Sequence, residues 1–306
     1  MLLVVCPNLA VDRILQVENF ELGKVQRSRS VLVQPGGKGS NVARVFHQLG
    51  GQVVLVGFVG RRNGSSIVEP LRMTGILVDT VPAYEGDSRT CTIVCDPRSK
   101  LHPTVINEES PEIEPDSAAR LMGRIEKWIP RINAVLTTGS LSRGLPTDFH
   151  AEILARARAR GKLTAIDATG RVLREGSLAR PLFMKPNAEE FRQFINGQTV
   201  SMLARHTAIT FGKAGAALIH NGSCIYASPP RISDVNAIGA GDAFVAGYLK
   251  CLLDGGRAED CFRWAMAAAA CDAATLRPGF IDYTDFQLLA SKALTTSGSN
   301  PAVNCR

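Results

Sequence analysis

The sequence lacks the cysteine and histidine patterns that would hold a metal or a disulfide framework. Its eight cysteines include no CxxC pair, and its five histidines fall in no metal-binding spacing. The chain has 306 residues, of which 45% are apolar, so it can bury a large core without such supports. We therefore expect reduced thiols and a cytoplasmic protein.

Long apolar runs are also absent, and none approaches the roughly 20 residues that a helix needs to span a bilayer. The first residues, MLLVV, continue directly into CPNLAVDR, with no basic leader and no small-residue cleavage site. This start is typical of a buried strand rather than a signal peptide. We expect no membrane partner.

The charge pattern does not indicate a nucleic-acid partner. The formal net charge of +7 is modest for this length, and the basic residues are scattered except in RARARGK at residues 156–162. No aromatic residue is interleaved with that run, which favours a solvated helix face over a nucleic-acid patch. The excess of positive charge does suit a small anionic substrate.

Short apolar runs alternate with helical patterns along most of the chain. Strands are predicted for LLVVC, VVLVGFVG, AVLTTGS, LTAIDA, LFMKPN, TAITFG and AALIH, and helices for about residues 40–49, 64–75, 116–129, 147–160 and 188–195. This alternation predicts an α/β fold in which a mostly parallel sheet is covered on both faces. In such sheets, binding sites lie at the carboxyl ends of the strands.

Two segments, at residues 11–34 and 84–106, interrupt this alternation. Both alternate apolar and polar residues, which indicates strands with one face in water. We predict that they form one small second sheet, which lies as a lid over a single domain of residues 1–292. Residues 293–306 are predicted to be a loose tail.

The stretch NAIGAGDAF, residues 236–244, carries the strongest chemical signal. It opens a helix whose first amide groups lack partners inside the helix and carry partial positive charge, which predicts an anion site. An acid beside that anion is repulsive unless it accepts a proton, so Asp242 is predicted to be the general base of a phosphoryl transfer. The alternative is an ordinary helix cap after a glycine turn.

Other glycine-rich nucleotide motifs do not fit the chain. GAGDAF ends in Phe244 where a dinucleotide fingerprint needs glycine, and GGKGS has Gly39 where a P-loop needs serine or threonine. The sequence therefore argues against a dehydrogenase and against a P-loop enzyme.

The stretch PGGKGSNVARVFHQLG, residues 35–50, follows the first inserted segment and opens a helix. Gly36 and Gly37 are predicted to form a hinge and to let a substrate lie against the main chain. Lys38 can meet a phosphate, and Asn41 can bind sugar hydroxyls. The alternative is a glycine-rich turn with a solvated lysine.

Together, seven pieces of sequence resemble the ribokinase/PfkB-type carbohydrate kinases, in the order of that family. They are PNLAVDR, PGGKGSNVARV, the arginine of GDSRTCTI, GSLSRGLP, KPNAEEF, TFGKAG and GAGD. The similarity covers about residues 1–290 and is to the phosphosugar branch: 1-phosphofructokinase, tagatose-6-phosphate kinase and the minor 6-phosphofructokinases. It implies a ribokinase-like three-layer α/β/α core, with ATP and Mg²⁺ as cofactors.

On the sugar side, the resemblance places Asp12 and Asn41 on the hydroxyl groups and Arg89 on the phosphate of the substrate. It also assigns Lys24 to that phosphate, with Ser140 nearby. Singly, Asp12 could cap a turn and Arg89 could lie on a solvated edge. The full predicted substrate set is Asp12, Lys24, Gly37, Lys38, Asn41, Arg89, Ser140 and Asp242.

On the nucleotide side, the resemblance places Lys185 and Asn187 on the phosphates and on the water shell of the magnesium ion. Glu190 completes the NxxE motif, although Asn187 and Glu190 could be an ordinary helix start. The remaining nucleotide residues are Thr210, Gly212, Gly215 and Gly241. The catalytic set is Asp242 with the turn Gly239, Ala240 and Gly241, where the amides of residues 240–242 hold the developing charge.

Two departures from the family stand near these motifs: Ala237 replaces a threonine, and Ser142 replaces the proline of a GSLP turn. The cations Lys24, Lys38 and Arg89 favour a hexose monophosphate acceptor and a bisphosphate product. Lys38 favours fructose 1-phosphate or tagatose 6-phosphate, whereas Lys24 favours fructose 6-phosphate.

The alternatives are a kinase of a neutral sugar or nucleoside, and a non-catalytic sensor, which would not need Asp242. We expect the lid to close on the sugar phosphate, and a homodimer could form through the lid.

Overall fold

The computed structural model describes residues 1–99, 102–194, 204–230, 232, 236–292 and 295–297. Within these residues the strands are β1 (Leu2–Asn8), β2 (Ala10–Gln16), β3 (Ser30–Gly36), β4 (Val53–Gly60), β5 (Leu77–Tyr84), β6 (Thr90–Cys95), β7 (Thr104–Asn107), β8 (Ala134–Thr138), β9 (Leu163–Asp167), β10 (Phe183–Met184), β11 (His206–Thr210), β12 (Ala216–His220), β13 (Ser223–Ala227) and β14 (Thr295–Ser297).

The helices of the described chain are α1 (Lys38–Gln48), α2 (Ser65–Met73), α3 (Ser117–Trp128), α4 (Phe149–Ala159), α5 (Gly170–Leu178), α6 (Ala188–Phe194), α7 (Ala240–Leu253), α8 (Ala258–Ala273) and α9 (Tyr283–Lys292). None of them is both long and apolar enough to cross a lipid bilayer.

A ten-stranded sheet forms the centre of the fold, in the order β14-β13-β12-β11-β10-β9-β8-β1-β4-β5. The pairs from β11 to β5 are parallel, and β12, β13 and β14 are antiparallel at one edge. The prediction of a mostly parallel sheet is confirmed.

Both faces of this sheet are buried, which explains the continuous apolar runs of its strands. Along β1, Leu2 and Val4 pack on one face with residues of α1, α7 and α8. The alternate residues Leu3 and Val5 pack on the other face with residues of α3 and α4. The layers are therefore helix, sheet and helix, as predicted.

A second sheet of four strands has the order β3-β2-β6-β7. Its strands come from the two predicted segments, and its inner face buries Ile14, Ile93 and Cys95 against Ile238 and Leu276 of the main body. Ile238 immediately precedes the turn that begins α7. The small sheet therefore lies beside the predicted catalytic turn.

The structure differs from the sequence prediction in the connecting elements. The residue pattern did not predict β5, β13, α5, α8 and α9, since these have mixed or alanine-rich patterns without clear alternation. Residues 295–297, predicted to belong to a loose tail, pair with β13 instead. The rest of the tail and residue 195, the predicted end of α6, lie outside the described residues.

Close packing of α7 on α8 fixes the position of the predicted catalytic turn. A Cβ atom added at Gly247 of α7 would lie 2.7 Å from the carbonyl oxygen of Trp264 and 2.9 Å from Cβ of Ala268, both on α8. Glycine and alanine thus let the two backbones approach. Because α7 begins at the turn of residues 239–241, this contact positions the turn relative to the core.

We expect Gly247→Ala to lower the free energy of unfolding by about 1 to 3 kcal/mol, because backbone atoms of α8 must move to accommodate the methyl group. Urea denaturation measures this change. The matched control is Gly123→Ala on α3, where an added Cβ meets nothing within 4 Å. That change should stabilise the protein by about 0.5 to 1 kcal/mol. Equal effects at the two positions would contradict the packing argument.

Candidate active site

The turn before α7 has the conformation that an anion site requires. Gly239 is the N-cap residue of α7, with φ at 97°. A Cβ atom at this position would lie 2.7 Å from Oδ2 of Asp272, so both the dihedral angle and the space require glycine. The first helical turn of α7 therefore begins where the chain packs closely against Asp272 and Pro278.

Two of the three amides predicted to hold the transferred phosphoryl group already have backbone acceptors. The Asp242 amide donates to the Gly239 carbonyl at 2.9 Å, and the Ala240 amide donates to the Ala237 carbonyl at 3.4 Å. Among the described residues no acceptor pairs with the Gly241 amide. Of the three amides predicted to bind the phosphoryl group, only that of Gly241 therefore has no acceptor among the described residues. The hydrogen bond of the Ala240 amide is longer than that of the Asp242 amide.

Asp242 is buried, with 6% of its surface exposed. Its Oδ2 accepts a hydrogen bond from Nδ2 of Asn41 at 2.8 Å. Burial raises the pKa of Asp242 to about 6, and Asp167 adds to this shift, whereas Lys38, Asn41 and Lys185 oppose it. A carboxylate that titrates near neutral pH can both accept and release a proton, as a general base must.

Two lysines share one buried carboxylate beside Asp242. Nζ of Lys38 lies 3.1 Å from Oδ2 of Asp167, and Nζ of Lys185 lies 3.2 Å from Oδ1. Burial alone would raise the pKa of Asp167, but the two lysines hold it below its usual value. Nζ of Lys185 would also lie 3.5 Å from a Cβ atom at Gly241. Both cations therefore lie where a phosphoryl group above the turn would be bound.

Asp12 lies on β2 with 4% of its surface exposed. Burial raises its pKa to about 6, and the nearby cations Arg44 and Arg89 oppose this shift, as does a hydrogen bond from the Gly37 backbone. Gly37 itself is the N-cap residue of α1. The structure thus brings Asp12, Gly37 and Asn41 to one side of the turn.

Arg89 and Ser140 are joined by a residue to which the sequence analysis assigned no role. Nε of Arg89 donates to Oδ1 of Asn8 at 3.0 Å, and Nδ2 of Asn8 donates to Oγ of Ser140 at 2.9 Å. The signal was present, because Asn8 belongs to the quoted PNLAVDR. Ser142, which replaces a proline, donates its hydroxyl to the Pro7 carbonyl at 2.8 Å, so this loop is tied to the end of β1.

Lys24, which was predicted to bind the sugar phosphate, does not lie with Arg89 and Ser140. Its side chain is 63% exposed and pairs with Glu21. The apolar neighbours Leu22 and Val25 are 89% and 98% exposed, so this segment stands out in solvent. In the single chain, Arg89 and Lys38 are therefore the predicted phosphate ligands near the turn.

A cavity of about 720 Å³ opens beside the turn. Thr210, Gly212, Gly215 and Gly241 of the predicted nucleotide set all line it, together with Ala237, the position of the missing threonine. His102 and Pro103 of the second inserted segment line it as well. The walls of this cavity therefore come from both the main body and the second inserted segment.

Asn187 and Glu190 form a reciprocal cap at the start of α6. Oδ1 of Asn187 accepts from the amides of Glu189 and Glu190 at 2.9 and 2.8 Å, and Oε2 of Glu190 accepts from the Asn187 amide at 2.7 Å. This is the ordinary helix start that the sequence left open.

The same two residues suit a water-mediated magnesium contact, because Mg²⁺ prefers oxygen ligands and keeps several waters. Glu190 also lies near enough to Lys38 to interact with it electrostatically. Among the described residues, no three His, Cys, Asp or Glu side chains form a closed metal cluster.

Comparison with known proteins supports one family. The description "pfkB family carbohydrate kinase" belongs to the family model that matches residues 1–279. Tagatose-6-phosphate kinase from Staphylococcus epidermidis is 28% identical over 302 residues, which cover 94% of this chain and 96% of that protein.

Solved structures share the fold. One from Thermotoga maritima, described as a possible 1-phosphofructokinase, aligns with a TM-score of 0.84 at 22% identity over 98% of this chain and 100% of that chain. Phosphofructokinase-2 from Escherichia coli, with substrates and products, aligns with a TM-score of 0.84 at 21% identity over 95% and 98%. Its tetrameric inhibited form aligns with 0.81 at 20% identity over 95% and 98%. Since the family match spans most of the chain and its motifs meet at one turn, this chain belongs to the pfkB family of carbohydrate kinases.

Proposed function

We propose that this enzyme transfers the γ-phosphoryl group of ATP to a hydroxyl group of a hexose monophosphate and releases a bisphosphate. The observation that carries the proposal is the position of Asp242. Its carboxylate is buried beside the anion-binding turn, accepts from Asn41 at 2.8 Å and has a pKa near 6. A structural helix cap would not need this burial.

In the proposed reaction, Asp242 accepts the proton of the sugar hydroxyl while the hydroxyl oxygen bonds to the γ-phosphorus and the bond to ADP breaks. Lys38, Lys185 and the Gly241 amide stabilise the charge that develops on the transferred group. When bound, Mg²⁺ would neutralise part of the negative charge of the nucleotide phosphates. Asn187 and Glu190 would hold it through water.

One cation on the sugar side, Arg89, supports a phosphorylated acceptor. Arg89 is fixed by Asn8 next to Ser140, and both can donate to a phosphate. The similarity to tagatose-6-phosphate kinase favours tagatose 6-phosphate or fructose 1-phosphate. Fructose 6-phosphate is less favoured, since Lys24 lies in solvent. A neutral sugar or a nucleoside is the second candidate class.

The small sheet is proposed to act as a lid that excludes water from the transfer. Its inner face touches Ile238, beside the catalytic turn, and the segment between β6 and β7 reaches the nucleotide cavity through His102 and Pro103. Closure would therefore shield both substrates. Water in an open site would be phosphorylated instead of the sugar.

The outer face of the small sheet is proposed to bind a second copy of the chain. Val31, Val33 and Ile106 are 45%, 54% and 61% exposed. Their register partners across β2 and β6 are Leu15, Arg13 and Thr92, so these residues share one face. Phosphofructokinase-2 from Escherichia coli has been described as a tetramer. We also propose a cytoplasmic location, because six buried cysteines of the described chain are free thiols: Cys6, Cys91, Cys95, Cys251, Cys261 and Cys271.

A panel of acceptors tests the function. ATP consumption is measured with tagatose 6-phosphate, fructose 1-phosphate, fructose 6-phosphate and the corresponding free sugars. We expect one phosphosugar to exceed the free sugars by at least about a hundredfold in kcat/KM, the scale of one lost charged contact. No acceptor-dependent ADP release from any compound would refute the proposal.

The variant Asp242→Asn tests the general base, and we expect it to lower kcat at least about a hundredfold. The unchanged enzyme gives a second test: its activity should fall as the pH drops through about 6, because protonation of Asp242 removes the base. The variant should lose no thermal stability at neutral pH, since folding disfavours the ionised acid. A kcat within about tenfold of the unchanged enzyme would show that Asp242 is not the base.

Arg89→Ala tests the phosphate contact. We expect a loss of about 2 to 4 kcal/mol in kcat/KM for the phosphosugar, because the phosphate loses its charged partner. The KM for ATP should change little. Steady-state kinetics with the phosphosugar and with its free sugar separate the effects, and an equal loss for both would exclude this role.

Oligomeric state tests the outer face of the small sheet. We expect light scattering to show a dimer at micromolar concentration and a monomer for the double variant Val33→Glu, Ile106→Glu, because the charges would be buried unpaired. The control is Leu178→Glu, which is 68% exposed and lies on α5 of the main body rather than on the small sheet. A monomeric unchanged protein would contradict the prediction.

A further inference from the structure

Arg44 connects three separate parts of the chain around the catalytic turn. It lies on α1, one turn after Asn41. Nη1 donates to the Pro35 carbonyl at 2.7 Å, and Nη2 donates to Oδ1 of Asn41 at 2.6 Å and to the Pro278 carbonyl at 2.9 Å. One side chain thus joins the end of the small sheet, the first helix and the loop after α8.

These contacts decide which way the Asn41 amide faces. A guanidinium group has donors only, so it requires the oxygen of the amide. With Oδ1 bound to Arg44, the NH₂ group of Asn41 faces Asp242 and donates to Oδ2 at 2.8 Å. The reverse orientation would place two oxygens together at Asp242 and two donors together at Arg44.

The loop that holds Arg44 is itself fixed. The Pro278 carbonyl also accepts from Nε2 of Gln34 at 3.0 Å. Oδ1 of the buried Asp272 accepts from the amides of Gly279 and Phe280 at 2.6 and 3.1 Å. Since Asp272 belongs to α8, which packs on α7, Arg44 has a rigid acceptor on the same support as the catalytic turn.

We propose that Arg44 is a positioning residue for phosphoryl transfer, which acts by holding the Asn41 amide in the orientation that donates to Asp242. The bond to Asn41 occupies Oδ2, and Oδ1 then receives the proton of the sugar hydroxyl. This inference rests on the proposed role of Asp242 as the base.

The pKa of Asp242 depends both on the charged groups around it and on the orientation of the Asn41 amide. The titratable and charged groups that interact with it are Cys6, Lys38, Arg44, Asp167, Lys185 and Asp272. The hydrogen bond from Asn41 lowers the pKa of Asp242. Its loss raises that pKa, so a misoriented amide shifts the acid limb of activity to higher pH.

The test variant is Arg44→Lys, which keeps the positive charge but cannot hold all three acceptors. We expect kcat to fall about tenfold to a hundredfold and the acid limb of kcat/KM to rise by at least about half a pH unit. The KM for ATP should stay within about twofold. An acid limb and a kcat/KM equal to those of the unchanged enzyme would overturn the proposal.

Two further variants separate positioning from structural support. Gln34→Met removes the other donor to Pro278 but leaves Asn41 bound, so its acid limb should not move. In an Asn41→Ala background, Arg44→Lys should cause little further loss of kcat, because the two residues act through one hydrogen bond. A shift with Gln34→Met, or additive losses in the double variant, would contradict the proposal.

A measurement independent of activity completes the test. In the unchanged protein, the side-chain NH₂ signals of Asn41 should shift in NMR spectra as Asp242 titrates near pH 6. In the folded Arg44→Lys variant this response should be lost. If that variant does not fold, the unchanged protein still gives a test: Asn41 signals that do not move near pH 6 would refute the hydrogen-bond link between Asn41 and Asp242. If the unchanged enzyme is inactive on every acceptor, the proposed function is refuted. If it is active but Arg44→Lys changes neither the acid limb nor kcat/KM, only the role of Arg44 is refuted.

Discussion

The burial of carboxylates at the carboxyl edge of the large sheet is the constraint on which the site depends. A buried acid is costly unless partners compensate for lost water, so Asp167 and Asp242 must be met by donors from other elements. Lys38 and Asn41 come from α1, and Lys185 comes from the end of β10. These donors are far apart in sequence. Neither acid therefore has its hydrogen-bond and ion-pair partners until four elements have assembled: α1, β9, β10 and α7.

The two neighbouring acids then acquire different properties from different partners. Asp167 meets two ammonium groups, which hold its pKa below the usual value. Asp242 meets a neutral amide more directly than it meets the lysines, and burial raises its pKa to about 6. One acid is thus a permanent anion that fixes two cations, while the other can exchange a proton near neutral pH. This division between an ionised support and a titrating base recurs in sites that combine two carboxyl groups.

The small sheet contributes residues both to the predicted sugar side of the site and to the large cavity. Asp12 belongs to its β2 strand, and His102 and Pro103, between β6 and β7, line the large cavity. In the proposed enzyme, either substrate would contact the small sheet and the main body together. Each would then favour the same closed arrangement, and binding of one would assist binding of the other.

The sequence alone determined the fold class, the small second sheet and the turn with Asp242, because apolar periodicity and contiguous motifs are local properties. It did not identify Asn8, Asp167 or Arg44 as members of the site, since their partners are remote: Asp167 pairs with Lys38 across 129 positions, and Arg44 bonds to Pro278 across 234. Nor could it show that Lys24 stands in solvent. Only tertiary packing brings distant polar groups within hydrogen-bond reach, and only burial changes the proton affinity of Asp242.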